Sequence, residues 1–126
     1  MKLLLTATLL AVAILAESPR PAACRIRIEK TATGATRFTP PELVAWAGDQ
    51  IHWFNDTAEL HDPGVLDKEG KFVPFLEEPV AVRSTSAVFS PFARINKDGK
   101  MIAFTIPYIC RQHPGEKGVI QVIPTP

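Results

Sequence analysis

The residues best suited to chemistry lie near the C-terminus, in Tyr108-Ile109-Cys110-Arg111-Gln112-His113. A C-x-x-H spacing presents a thiol and an imidazole from one short turn. Thiolate sulfur is a soft donor and imidazole nitrogen a borderline one, so the pair suits a metal ion that accepts both. The tetrapeptide carries little weight alone, because the spacing arises by chance in many chains. No Ser-His-Asp set, phosphate-cradling loop or pair of catalytic carboxylates accompanies it.

The elements that would have to position such a pair read as strands. Cys24-Arg25-Ile26-Arg27-Ile28-Glu29 alternates, with 24, 26 and 28 on one face, and Gln50-Ile51-His52-Trp53-Phe54 follows an Ala47-Gly48-Asp49 turn. Ala87-Val88-Phe89, Ile102 to Ile106 and Gly118 to Ile123 add short β-branched or aromatic runs, separated by Gly, Pro, Asn and Asp. The 12 prolines deny any long helix. Many short strands with turns between them predict an all-β sandwich without internal repeat or low-complexity linker. Residues 62 to 98 give the least readable pattern.

At the N-terminus, Lys2 precedes an apolar run from Leu3 to Ala16, broken only by Thr6 and Thr8, and then Glu17-Ser18-Pro19-Arg20. This reads as a secretory signal peptide and places the mature protein in the periplasm or otherwise outside the cytoplasm. The run falls short of the roughly 20 apolar residues that a bilayer span needs, so no membrane-spanning helix is expected after processing. Small Ala16 favours cleavage there. A cut before Cys24 would set Pro21 three residues upstream, where it fits poorly, although the boundary can be drawn as late as residue 23. Removal of residues 1–16 leaves 110 residues, 17–126, enough for one compact domain. Lys2 leaves with the leader, so 13 basic residues face 13 acidic ones. That balance argues against nucleic acid or an anionic membrane as the main partner. Two cysteines in an exported chain ordinarily suggest one disulfide, but the setting of Cys110 favours a metal ligand.

Two blocks of sequence make the reading specific. Phe38-Thr39-Pro40, Leu43, Ala47-Gly48-Asp49, Ile51, Trp53 and Asn55, with His61 eight residues after the Trp, resemble the first half of a plastocyanin- or amicyanin-type cupredoxin. Tyr108 to Val122 resembles that family's C-terminal metal loop and last strand. The resemblance implies a Greek-key β-sandwich holding one copper ion, cycling between Cu(II) and Cu(I), on His61, Cys110 and His113. It implies a monomeric electron carrier with a redox protein as partner. A His2Cys site with one weak axial ligand is the blue-copper arrangement. Held rigidly by the sandwich, such a site suits neither oxidation state fully, and little moves when the electron arrives. In the family the C-terminal histidine reaches the surface, so His113 is the expected exit, framed by Pro114, Pro63 and Pro40.

The chain departs from the family at the axial position. Amicyanin-like loops carry methionine three residues after the histidine, and Glu116 stands there. Met101 lies on the wrong side of Cys110, and Met1 leaves with the leader. Glu116 as axial ligand is the first reading. In the second, Glu116 points to solvent and a backbone carbonyl, that of Leu60, approaches the metal. Asp62 occupies a position where many relatives have Asn, and is expected to tie the ligand loops together by pairing with Arg111, tuning the metal from outside its ligand set. The interval from Gly99 to Cys110 is also longer than usual, and Pro107 interrupts it.

Other residues have plainer readings. Alternation turns His52 outward to solvent and Trp53 inward. Trp46 turns outward, as a partner contact or covered by the long middle segment. Cys24 shares parity with Ile26 and Ile28 and reads as a small buried side chain, with a lipidated N-terminal cysteine as the alternative. Tyr108 packs inward. A red-copper enzyme similar to nitrosocyanin and a copper-delivery protein are the alternatives to the electron carrier.

Overall fold

The computed structural model describes residues 23 to 125. The expected leader and its cleavage site lie outside the described residues. The strands are β1 (Ala23–Lys30), β2 (Thr36–Thr39), β3 (Glu42–Trp46), β4 (Gln50–Asn55), β5 (Pro63–Leu66), β6 (Phe72–Pro74), β7 (Arg94–Ile95), β8 (Met101–Ile102), β9 (Phe104–Cys110) and β10 (Lys117–Ile123).

Alternation in the sequence becomes burial directly. In β1, Ile26 and Ile28 are fully enclosed while Arg25 and Arg27 face out, and in β4 Ile51, Trp53 and Asn55 are enclosed. A slip of one residue in either strand would exchange these faces, and each buried side chain of this size contributes about 1.5–3 kcal/mol, so the register is strongly specified. The observed pairing is parallel, with Ile26 opposite Trp53. One sheet has the order β2-β1-β4 and the other β3-β10-β9-β5-β6. Their inner faces meet in one core: Ile26, Ile28, Phe38, Ile51 and Trp53 from the first, Ala45, Tyr108, Cys110, Ile120 and Val122 from the second. No described residue is helical. The architecture is the expected all-β Greek-key sandwich.

Tyr108 packs inward as expected, its ring centroid 5.8 Å from that of Trp53 and 4.7 Å from that of Phe38. The indole N–H of Trp53 donates to its hydroxyl at 3.4 Å. Directly across the ladder stands Gly118, where any β-carbon would run into the Tyr108 ring. The glycine is what allows the aromatic to lie flat against β10.

Two expected strands take another form. Ala87 to Phe89 is not a ladder strand; Phe89 makes a single bridge to Ile51, Thr85 another to Phe54, and the Ser86 hydroxyl accepts from the Trp53 N–H at 2.9 Å. Serines and a single aromatic thus cover the β4 edge without a regular run. The Ile102–Ile106 run is split at Ala103: Met101–Ile102 turns back on Arg94–Ile95, and β9 begins at Phe104. The long approach to Cys110 is therefore a hairpin added ahead of β9, with Asn96 Oδ1 accepting from the N–H groups of Asp98 and Lys100 in its turn. Pro107 is tolerated because β5 pairs with β9 only at Ile109 and Cys110, leaving no ladder on that side of the proline to interrupt.

Cys24 corrects its expectation in part. It is half-buried rather than enclosed, and its thiol approaches Asp49 Oδ2 at 3.7 Å. That carboxylate also accepts from the Trp46 N–H at 2.9 Å. Trp46 is half-buried and lines one hollow with Cys24 and Ile123. His52 sits on the outward face, half-buried. No helix among the described residues is long and apolar enough to cross a membrane.

Candidate metal centre

The loop between β9 and β10 is built from two successive turns. The His113 N–H donates to the Cys110 carbonyl at 3.3 Å and the Glu116 N–H to the His113 carbonyl at 2.8 Å, while the Cys110 N–H returns to the Glu116 carbonyl at 3.2 Å. Each turn advances three residues, so Cys110, His113 and Glu116 are gathered around one point. The spacing C-x-x-H-x-x-E is thus converted into a cluster by backbone hydrogen bonds alone.

His61 arrives from the other side of the sandwich. At the end of β4, the enclosed Asn55 amide donates to the carbonyls of Glu59 (2.6 Å) and Val80 (3.1 Å). Its oxygen accepts from the Thr57 N–H (3.0 Å) and hydroxyl (2.7 Å). These bonds curl the loop back, and the Val80 N–H then pins the His61 carbonyl at 2.7 Å. The His61 ring stacks on that of His113 with centroids 4.7 Å apart.

The donor atoms of His61, Cys110, His113 and Glu116 all lie within 4.8 Å of one another. Cys110 Sγ is 3.6 Å from Nδ1 of both histidines. Glu116 is only 3% exposed. Its Oε1 makes a charge contact with His61 Nδ1 at 3.3 Å, and neither carboxylate oxygen has a hydrogen-bond partner. A closed-off, unpartnered carboxylate beside a thiol and two imidazoles is costly unless a cation completes it. The donor set fits a thiophilic, borderline metal ion.

Burial alone would depress the His61 imidazole, but Cys110 and Glu116 outweigh it and push it up to about 9. Burial likewise favours the neutral Cys110 thiol, yet hydrogen bonds from His61, the Asp62 N–H and His113 hold it below its usual range. His113 is raised by its bond to Cys110 and, beyond the opposing effect of burial, by Glu59. These contacts favour the thiolate of Cys110 over its thiol, and a metal entering the site would have to displace the imidazole protons.

Only His113 of the four reaches the surface, with 30% of its side chain exposed, and its Nε2 meets Glu59 Oε2 at 2.9 Å. Of the prolines expected to frame it, Pro40 and Pro114 are exposed, but Pro63 is fully buried, because β5 tucks it against Cys110. The link between the ligand loops is also different from the expected ion pair. Among the described residues Asp62 and Arg111 form no ion pair within 4 Å. Instead the Arg111 N–H donates to the Asp62 carbonyl at 2.9 Å and the Asp62 N–H to Cys110 Sγ at 3.4 Å. The Arg111 guanidinium lies over the Phe72 ring. Burial raises the Asp62 carboxyl, with Arg111 offsetting part of the effect. Thr57 and Glu59, which touch the outer nitrogens of the two histidines, carry no signal in the sequence beyond lying in the loop before His61.

No family model and no curated protein sequence matches the chain. Solved structures do. Amicyanin from Paracoccus versutus (Thiobacillus versutus) is 21% identical, with 85% of this chain and 86% of that one covered at a TM-score of 0.57. The reduced Cu(I) form at pH 4 of an amicyanin point mutant is 20% identical, covering 85% and 87% at 0.57. An oxidized point mutant of amicyanin gives 20% identity, the same coverage and 0.57. The two-sheet sandwich, with its residues 61 and 110–116 brought to one end, is the cupredoxin fold, shared with amicyanin.

Proposed function

We propose that this chain is an exported mononuclear copper protein that carries single electrons between redox partners. His61, Cys110 and His113 would hold the metal, with Glu116 as its fourth donor. The observation that carries the reading is the Glu116 carboxylate, enclosed and unpartnered within reach of a thiol and two imidazoles. Bound copper supplies a Cu(II)/Cu(I) couple. The chain's own residues keep water out, since His61 and Cys110 are 0% exposed, and leave the His113 ring as the route to a partner protein. Four donors in a closed site favour a carrier over an enzyme, which needs an open position for substrate, and over delivery, which needs ligands that a receiving site can reach. Export rests on the leader read in the sequence, and residues 17–126 form the mature domain, acting as a monomer.

One optical and EPR spectrum of the copper-loaded protein tests this. An intense sulfur-to-copper charge-transfer band is expected, with one copper per chain, and Cys110→Ser should abolish it. An unchanged spectrum in that variant, or a colourless protein that takes up only zinc on the same donors, would overturn the reading.

A further inference from the structure

We infer that the Thr57 hydroxyl is a positioning group for the metal centre, holding one proton of the His61 imidazole on Nε2 so that Nδ1 is left to the metal. The inference rests on the ligand role proposed for His61 and deepens it.

The argument is an inventory of donors and acceptors. Asn55 commits its amide N–H groups to the Glu59 and Val80 carbonyls, so the atom it turns to Thr57 is the oxygen, which can only accept. Thr57 Oγ1 lies 2.7 Å from that oxygen, its shortest contact, and 3.2 Å from the Glu59 carbonyl. The single hydroxyl proton therefore goes to Asn55. What Oγ1 then has to offer is lone pairs, and it accepts from the Glu59 N–H at 3.3 Å and faces His61 Nε2 at 2.9 Å. With its own proton committed, Oγ1 must receive one from Nε2.

The other ring nitrogen faces a different set. Nδ1 meets Cys110 Sγ at 3.6 Å and Glu116 Oε1 at 3.3 Å, the donors gathered around the candidate metal position. A neutral imidazole carries one proton, and a metal can bind only the nitrogen without it. Residues 55, 57 and 61 are all enclosed, with exposures of 0%, 2% and 0%, so water cannot replace the hydroxyl as acceptor. The chain Asn55–Thr57–His61 thus sets the tautomer as well as the ring angle, the part that outer partners of ligating histidines commonly play. Because Thr57 is neutral, it does this without adding charge to the site.

Zinc(II), which is diamagnetic, serves as the probe. Nitrogen NMR of the Zn(II)-loaded wild type should show His61 with a slowly exchanging proton on Nε2 and a metal-bound Nδ1. Thr57→Val keeps the shape and the backbone bond to Asn55 but removes the acceptor. It should weaken Zn(II) binding in chelator competition by about 10- to 100-fold and speed exchange of the Nε2 proton. Thr57→Ser should restore both. An Nε2 without a proton in the wild type would overturn the inference whatever the variants do, including a valine variant that fails to fold. So would valine and serine variants that behave alike. A wild type that binds Zn(II) through His61 with Nε2 protonated, yet shows no copper couple, would defeat the electron-carrier reading and leave the role of Thr57 standing. A coloured protein indifferent to Thr57→Val would do the reverse.

Discussion

Glu116 Oε1 and His61 Nδ1 lie 3.3 Å apart, and both side chains are closed to solvent. They come from distant segments of the chain and meet within the group of donors that could hold a metal ion. Carboxylate oxygen is hard and anionic and favours Cu(II), whereas a thioether is soft and neutral. Glu116→Met should therefore raise the reduction potential of the copper protein and move its spectrum toward ordinary blue copper. A tenfold change in the balance of oxidation states corresponds to about 59 mV for one electron, and at least that shift is expected by redox titration. Equal potentials in wild type and variant would place Glu116 off the metal and favour the Leu60 carbonyl.

Copper should raise the unfolding temperature. His61 and Cys110 are 49 residues apart in the chain and form one site only in the folded state, so the metal binds native protein and not the open chain. Free metal at 1,000 times its dissociation constant would stabilise by about 4 kcal/mol. Scanning calorimetry of metal-free and copper-loaded protein checks this, and coincident melting curves would contradict it.

Gly118→Ala should destabilise the fold through Tyr108 rather than through the metal. A β-carbon at 118 has no room beside that ring, and overpacking of this kind costs about 1–3 kcal/mol. Pairing it with Tyr108→Leu should recover part of the loss in denaturant titrations. If Gly118→Ala alone leaves the midpoint unchanged, the close packing of Tyr108 on β10 is not as described.

A pH response is expected at Asp56, which follows β4 at the start of the loop that leads to His61. The Asp56 carboxylate is held below its ordinary value above all by hydrogen bonding to Arg27, with burial opposing it and the Arg83 bond adding a smaller downward pull. A carboxyl depressed in the folded state contributes stability that is present above its unfolded value, roughly 3.9, and is lost as pH falls through the lower folded value. Carbon NMR of Asp56 should give a midpoint below that reference. On acidification past the midpoint, Arg83, which stands at a φ of 55° and bonds Asp56 Oδ1 at 2.7 Å, should be released from Asp56 before the sheets melt. Asp56→Asn should show the loosened Arg83 segment already at neutral pH. An ordinary Asp56 titration would contradict the pairing.

The sequence by itself determined the inward faces of β1 and β4 and pointed to the candidate residues of the C-terminal loop. Ile26, Ile28, Ile51 and Trp53 declare themselves because side-chain direction in a strand follows a period of two, which needs no knowledge of the partner strand. Cys110 and His113 stood out by their C-x-x-H spacing and Glu116 by the resemblance to cupredoxin loops, and the two consecutive turns that gather them were found only in the structure. The short strands between residues 62 and 98 were not legible in the same way. Residues 84–89 cover β4 through isolated bridges and the Ser86 hydroxyl, an arrangement with no period to detect.

Tertiary structure alone decided what crosses between segments. It placed Pro63 under the surface, replaced the expected Asp62–Arg111 ion pair by backbone bonds, half-exposed Cys24 beside Asp49, and set Thr57 and Glu59 on the outer nitrogens of the two histidines. Each of these depends on how far one strand is displaced along another, and on the path of a loop fixed by a few polar contacts. Such contacts pair residues far apart in the chain, Glu59 with His113 across 54 positions, and the direction of a side chain along its own strand does not say what the opposite sheet brings within 3 Å of it.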